Sequence, residues 1–149
     1  MQLHLSGSSP INADRETVYS RLTDTKFIAR SLPDTEEVNV IDAKTIDAKL
    51  KVKVAVVTST LKLRMSIAET SPPSKAKLVA DATGSGSHMT ISSTFELAGT
   101  HPTTLSWSAD AEITGVMAGL GSSILKGFAM KKVSEIFEGI TKAVEAEAA

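Results

Sequence analysis

Six consecutive stretches between residues 36 and 113 alternate apolar and polar side chains, and no other feature of the chain constrains its fold as tightly. Successive side chains of a strand point to opposite faces, so strict alternation describes a strand with one covered face and one wet face. Val38 and Val40 begin the pattern. Ile46, Ala48, Leu50, Val52, Val54 and Val56 then share one face of a long strand whose other face carries Asp47, Lys49, Lys51 and Lys53. Leu61, Leu63, Met65 and Ile67 repeat it, as do Ala76, Leu78, Ala80, Ala82 and Gly84. Met89, Ile91, Ser93, Phe95 and Leu97 follow, and Leu105, Trp107, Ala109, Ala111 and Ile113 complete it. Turn-forming residues stand between the stretches: Pro72 with Pro73, Gly84-Ser-Gly-Ser87, and residues 99–102. Alternation over consecutive strands predicts an antiparallel meander with the lysine-bearing face in solvent.

A sheet with one apolar face needs a cover, and one segment is long enough to supply it. Across residues 116–144, Val133, Ile136, Phe137, Ile140 and Val144 recur at the three-and-four spacing of an amphipathic helix. The same face continues back through Ala129, Leu125, Ser122 and Ala118, and Met117, Leu120, Ile124 and Phe128 add a second apolar side. That second side predicts either a fully covered helix, the wall of a cavity, or a surface that meets a partner. At the other end of the chain Leu3 and Leu5 alternate with polar residues in a short strand ending near Pro10. Asn12 reads as the N-cap of a short helix carrying Val18 and Leu22, with Asp14 and Glu16 in its first turn. Asp24 caps a second short helix with Phe27 and Ile28, and Pro33 ends it. The expected architecture is α+β: a curved seven-stranded antiparallel sheet around a long C-terminal helix, with two short helices after the first strand. Residues 1–149 read as a single domain, and residues 145–149 are expected to fray.

The chain carries 16 basic and 17 acidic residues, for a net charge of -1, which argues against a nucleic-acid partner. It has no cysteine, so disulfides, thiolate metal sites and cysteine nucleophiles are absent. No apolar run approaches the ~20 residues of a membrane span, and no signal peptide is legible, so a cytoplasmic location is expected. Of the histidines, His4 and His88 fall on outward strand positions and His101 in a turn, without metal-ligand spacing. Acidic residues do not converge on the inner face, so no catalytic residue, metal or obligatory cofactor is expected. Gly84-Ser-Gly-Ser87 does not open a helix and is no phosphate cradle. Gly119, Gly121 and Gly127 weaken the long helix, for close packing on the sheet or for an entrance that bends.

Small inward residues point to a cavity. Ala76, Ala80, Ala82, Gly84, Ala109 and Ala111 leave volume between sheet and helix that neighbours or a ligand must fill. The expected lining comprises Leu50, Val52, Val54, Leu63, Met65, Ala80, Met89, Ile91, Ser93, Phe95, Trp107, Ala109, Met117, Leu120 and Ile124. Such a lining suits an apolar small molecule, with Ser93 and the Trp107 indole as its polar groups. The competing expectation is a solid core with the helix set close on the alanines.

The order of elements resembles that of the helix-grip (START-like, Bet v 1-like) SRPBCC superfamily. Within it the chain resembles the CoxG family of carbon monoxide dehydrogenase subunits. The resemblance covers nearly the whole chain and is carried by Asn12-Ala-Asp-Arg-Glu-Thr-Val-Tyr19 with Leu22 and Asp24, by Ser31-Leu-Pro33, and by Ile46-Asp-Ala-Lys-Leu-Lys-Val-Lys-Val54. Asp81-Ala-Thr-Gly-Ser-Gly86 and Leu120-Gly-Ser-Ser-Ile-Leu125, followed by Gly127 and Ala129, extend it. Asp34 after Pro33, and Ala55 between Val54 and Val56, depart from the family pattern. The resemblance implies non-enzymatic binding of a quinone- or lipid-like molecule, as an accessory to a carbon monoxide dehydrogenase-like molybdenum oxidoreductase. It also implies a peripheral contact with the membrane. Two other functions remain open on the residues: a helix-grip enzyme of the cyclase or hydrolase type, and an interaction module whose helix (Met117, Leu120, Phe128) docks a partner or a second copy.

Overall fold

A computed structural model describes residues 1–32, 35–100 and 102–148. Strand β1 (Gln2–Ile11) leads into helices α1 (Arg15–Leu22) and α2 (Thr25–Ser31). Strands β2 (Thr35–Asp42), β3 (Thr45–Val54), β4 (Val57–Ser71), β5 (Lys75–Gly84), β6 (Ser87–Ala98) and β7 (Thr103–Gly115) follow in an antiparallel meander. A 3-10 turn (Met117–Leu120) then precedes the long helix α3 (Ser122–Ala148). The strand order is β1-β7-β6-β5-β4-β3-β2, so the first strand returns to pair with the last and leaves β1 and β2 as edges. The curved sheet carries α3 across its inner face, as the alternation requires. Pro33, the expected end of the second short helix, and the turn residue His101 lie outside the described residues.

Three boundaries differ from expectation. Asn12 does not cap α1; Asp14 holds the N-cap position, without a capping side-chain bond. Asp24 does cap α2, accepting a hydrogen bond from the Lys26 amide at 3.0 Å. The long helix starts six residues later than expected because Gly121, at φ +91°, takes the chain out of the preceding 3-10 turn. Only glycine adopts that backbone freely. A Cβ built on Gly119, Gly121 or Gly127 meets nothing within 4 Å, so close packing is not why these glycines are there. Helix α3 continues four residues past Val144, to Ala148, where the Glu145 carboxylate accepts from the Asn12 amide at 2.8 Å and Glu147 pairs with Arg21. At the opposite end the Ser87 hydroxyl accepts from the Met117 amide at 3.0 Å. The Val116 amide donates to the Gly86 carbonyl at 3.1 Å, fixing where the chain leaves β7.

Candidate functional site

The apolar inner face is not one continuous core. At the C-terminal end of α3, Val18, Tyr19, Leu22 and Phe27 of the short helices meet Phe95, Leu97 and Leu105 of the sheet, and Ile140 and Val144 close the cluster. At its N-terminal end a second cluster joins Val52, Val54, Leu61 and Ile113 to Met117 and Leu125. Helix α3 is a rod resting on both. Between them the sheet offers alanines: Ala82 on β5, Ala109 and Ala111 on β7. A rod held off at both ends cannot descend onto short side chains in the middle, and a cavity of about 260 Å³ remains. Its floor is Leu50, Leu63, Met89, Ile91 and the β7 alanines, and its roof is Phe128, Ala129, Lys132, Val133 and Ile136. Leu50, Leu63, Met89, Ile91, Ala109 and Ala111 face inward yet are only half-buried, so their exposed surface is the cavity wall.

Of the residues named on sequence grounds, the cavity takes in Leu50, Val52, Leu63, Met89, Ile91, Ala109 and Met117. The others lie elsewhere. Val54 is buried in the cluster beneath Met117, and Leu120 packs onto that cluster from the 3-10 turn. Phe95 is buried with its ring 6.0 Å from that of Tyr19. Trp107 stacks at 5.5 Å on Phe137, in a slot that glycine makes possible: a Cβ on Gly7 would lie 2.9 Å from the indole nitrogen. Met65 and Ala80, a cross-strand pair, and Ser93, beside Leu78 and Ala109, share the inner face but stay outside the lining. Ile124 is corrected outright: it is 47 % exposed. Leu125, expected on the sheet-facing stripe, is buried there, and Ile124, about 100° round the helix from it, turns to solvent.

Sequence reasoning missed part of the wall. Leu32 at the end of α2, and Ala129, Lys132, Val133 and Ile136 along α3, line the cavity without having been singled out for it, whereas Phe128 does so as the second apolar side of the helix allowed. Helical spacing from Leu125 through Phe128, Lys132 and Ile136 marks one inward stripe, and Lys132 stands where that stripe calls for an apolar residue. Among the described residues of the lining, Lys132 alone has a polar side chain. Its ammonium bonds the Glu135 carboxylate at 3.3 Å and lies 5.7 Å from the centre of the Phe128 ring.

Ionisable groups cluster instead on the outer face of the sheet, which forms an open saddle of about 990 Å³. Although larger than the cavity, the saddle follows from sheet curvature, and its charged groups are engaged with one another. His4 bonds Asp110 at 2.7 Å, His88 bonds Asp81 at 2.6 Å, and Arg64 grips Asp47 through two bonds of 2.6 and 2.7 Å. The Arg64 hydrogen bonds hold the Asp47 carboxyl below its ordinary range, and Asp47 in turn raises Arg64. On the inner side, burial raises the Tyr19 phenol, whose hydroxyl donates to the Lys75 carbonyl at 3.0 Å. Among the described residues no three His, Cys, Asp or Glu side chains are placed to hold a metal ion.

Residues 7–145 match the family described as the CoxG subunit of carbon monoxide dehydrogenase. The chain belongs to the CoxG family. No curated protein sequence matches it significantly. Among solved structures, a conserved protein from Geobacillus kaustophilus superposes with a TM-score of 0.89 at 22% identity, covering 99% of this chain and 98% of that one. An aromatase/cyclase from Streptomyces gives 0.71 at 16% identity, covering 100% and 97% of the two chains. A START superfamily protein from Mycobacterium smegmatis gives 0.64 at 14% identity, covering 97% and 96%. These likenesses establish that this CoxG chain has the START-like helix-grip fold over its length. No helix among the described residues is long and apolar enough to cross a membrane.

Proposed function

We propose that this CoxG-family chain binds an apolar small molecule, quinone- or lipid-like, between the sheet and α3, without performing chemistry on it. The observation that carries this reading is the cavity itself, roofed and floored by apolar side chains that the fold leaves half-covered. At about 260 Å³ it lies just under the ~300–1,000 Å³ usual for small-molecule sites, which suits one ring or a short chain. Burying about 250 Å² of ligand surface at ~25 cal/mol per Å² is worth about 6 kcal/mol, which sets affinity between millimolar and micromolar. The family's name supports a role as accessory to a carbon monoxide dehydrogenase-like molybdenum oxidoreductase, to which the bound molecule would be passed.

The aromatase/cyclase among the structural relatives makes catalysis the second reading. A cyclase-type reaction needs several polar groups converging on the ligand to move protons. The described lining supplies Lys132 alone, which favours binding over chemistry.

The test is mass spectrometry of an organic extract of the purified protein, with a titration of a soluble quinone analogue followed by the NMR signal of the Met89 methyl group. A co-purifying apolar molecule, or a saturable Met89 shift that Ala109→Leu abolishes, is expected. No extracted molecule and an unmoved Met89 signal would overturn the reading.

A further inference from the structure

The glycines on the two sides of Met117 differ in kind. Before it they are required: a Cβ on Gly84 would run into the Thr60 carbonyl oxygen, and one on Gly115 into that of Gly86. The chain is also pinned there, because the Val116 amide bonds the Gly86 carbonyl and the Met117 amide bonds the Ser87 hydroxyl. After Met117 two glycines are optional. Gly119 and Gly127 have no positive φ and open space around them, so alanine fits at both and holds a helical backbone better.

The stretch around these glycines is held loosely. Of residues 118–127, Leu125 alone is buried, at 3% exposed. Among the described residues, no side chain of that stretch makes a hydrogen bond or ion pair. The far end of α3, by contrast, is tied through Glu145 and Glu147. Leu125 joins the cluster that contains Met117 and also lines the cavity. One side chain therefore latches the first turn of α3 to the cavity rim. Segments with few buried contacts open locally before the rest of a protein does. Here a glycine stands on each side of the weak turn: Gly121, at φ +91°, and Gly127.

We infer that the first turn of α3, residues 122–126, is the lid through which the ligand enters the cavity, swinging on Gly121 and Gly127 with Leu125 as its latch. This inference rests on the binding function proposed above and adds to it the route of entry. Met117 stays fixed to the sheet, and the roof from Phe128 to Ile136 keeps its place. Affinity then follows the closed state, while entry and exit follow the small population that is open. Gly119 and Gly127 set that population by keeping the turn and its approach easy to unwind.

Two probes serve: toluene, an apolar ring without a polar group, and the soluble quinone analogue. The Met89 methyl NMR signal reports their arrival. Exchange broadening of that signal gives entry and exit rates, and its titration gives affinity, for wild type, the double variant Gly119→Ala/Gly127→Ala, and Gly139→Ala. Gly139 also has open space around it but adjoins the buried Ile140, so it controls for general stiffening of α3. The double variant is expected to slow entry and exit alike, by roughly fivefold or more, with affinity within about twofold of wild type. Gly139→Ala is expected to leave both rates near wild type. Unchanged rates in the double variant, or equal slowing in Gly139→Ala, would overturn the lid and leave the carrier function intact. A Met89 signal that neither probe moves would overturn both.

Discussion

The C-terminal end of α3 and its middle turns meet the same sheet with different results. Toward its C-terminus Ile140 and Val144 are 4% and 0% exposed, pressed into Tyr19, Phe95 and Leu105. In the turns before Ile140, the side chains of Phe128, Val133 and Ile136 are only half-buried and look onto open volume. Phe128, Val133 and Ile136 are no smaller than Ile140 and Val144. The difference lies in the strands beneath, which supply Phe95, Leu97 and Leu105 at one end and Ala82, Ala109 and Ala111 in the middle. Close packing is the default of protein interiors, so an unfilled stretch between two packed ones follows from the residues chosen for the floor.

That contrast can be broken by substitution. The largest effect is expected at the packed end: Ile140→Ala removes a side chain whose neighbours cannot collapse, and should cost about 2–5 kcal/mol in urea denaturation. Val133→Ala, over the cavity, should cost less than half as much; equal losses would mean the two stretches are packed alike. A sharper comparison makes one change in two places. Ala76→Leu, in the packed cluster, should destabilise by about 1–3 kcal/mol through overpacking. Ala109→Leu, in the cavity floor, should leave stability within about 1 kcal/mol of wild type while removing ligand binding.

Smaller effects come from the glycines that lead into the helix. Gly127→Ala, with open space around it, should raise the melting temperature by an amount equivalent to about 1 kcal/mol. Gly121→Ala, at φ +91°, should lower it by about 1–2 kcal/mol. The smallest effect belongs to the outer face. Because Arg64 lowers the pKa of Asp47 in the folded chain, that pair adds stability above the ordinary aspartate value of 3.8. The contribution disappears as pH falls through the lowered folded value. The stability gap between wild type and Asp47→Asn should therefore be present at pH 7 and close on acidification below that range, measured by thermal melts across pH.

The fold was legible because periodicity depends on backbone geometry alone. Alternation in β3 to β7 and the recurrence of Ile136, Ile140 and Val144 each announce one covered face, whatever lies opposite. The floor of the cavity was legible for the same reason, since alanines on inward positions are visible in the sequence. Its roof was legible only in part. Leu125, Ala129, Val133 and Ile136 were visible as the inward stripe, but of the second apolar side Phe128 and Met117 line the cavity while Ile124 is exposed. Phe95 and Trp107 were misplaced too. Both face inward as alternation requires, but Tyr19 and Phe137 claim them, and those contacts join segments far apart in the chain.

The pairing of β1 with β7 has a kinetic consequence. Leu5 lies opposite Ala109, so the first strand to leave the ribosome has no partner until roughly a hundred residues later. At ~5–20 residues per second it waits on the order of 5–20 s, and α3 emerges later still. During that interval β2 to β6 can assemble hairpin by hairpin from local contacts, with their apolar face uncovered. Completion needs the two ends of the chain together, a loop closure of the kind that puts sheet-rich folds at the slow end of folding rates. The alanine floor is completed only when β7 arrives, and it stays uncovered until α3 follows.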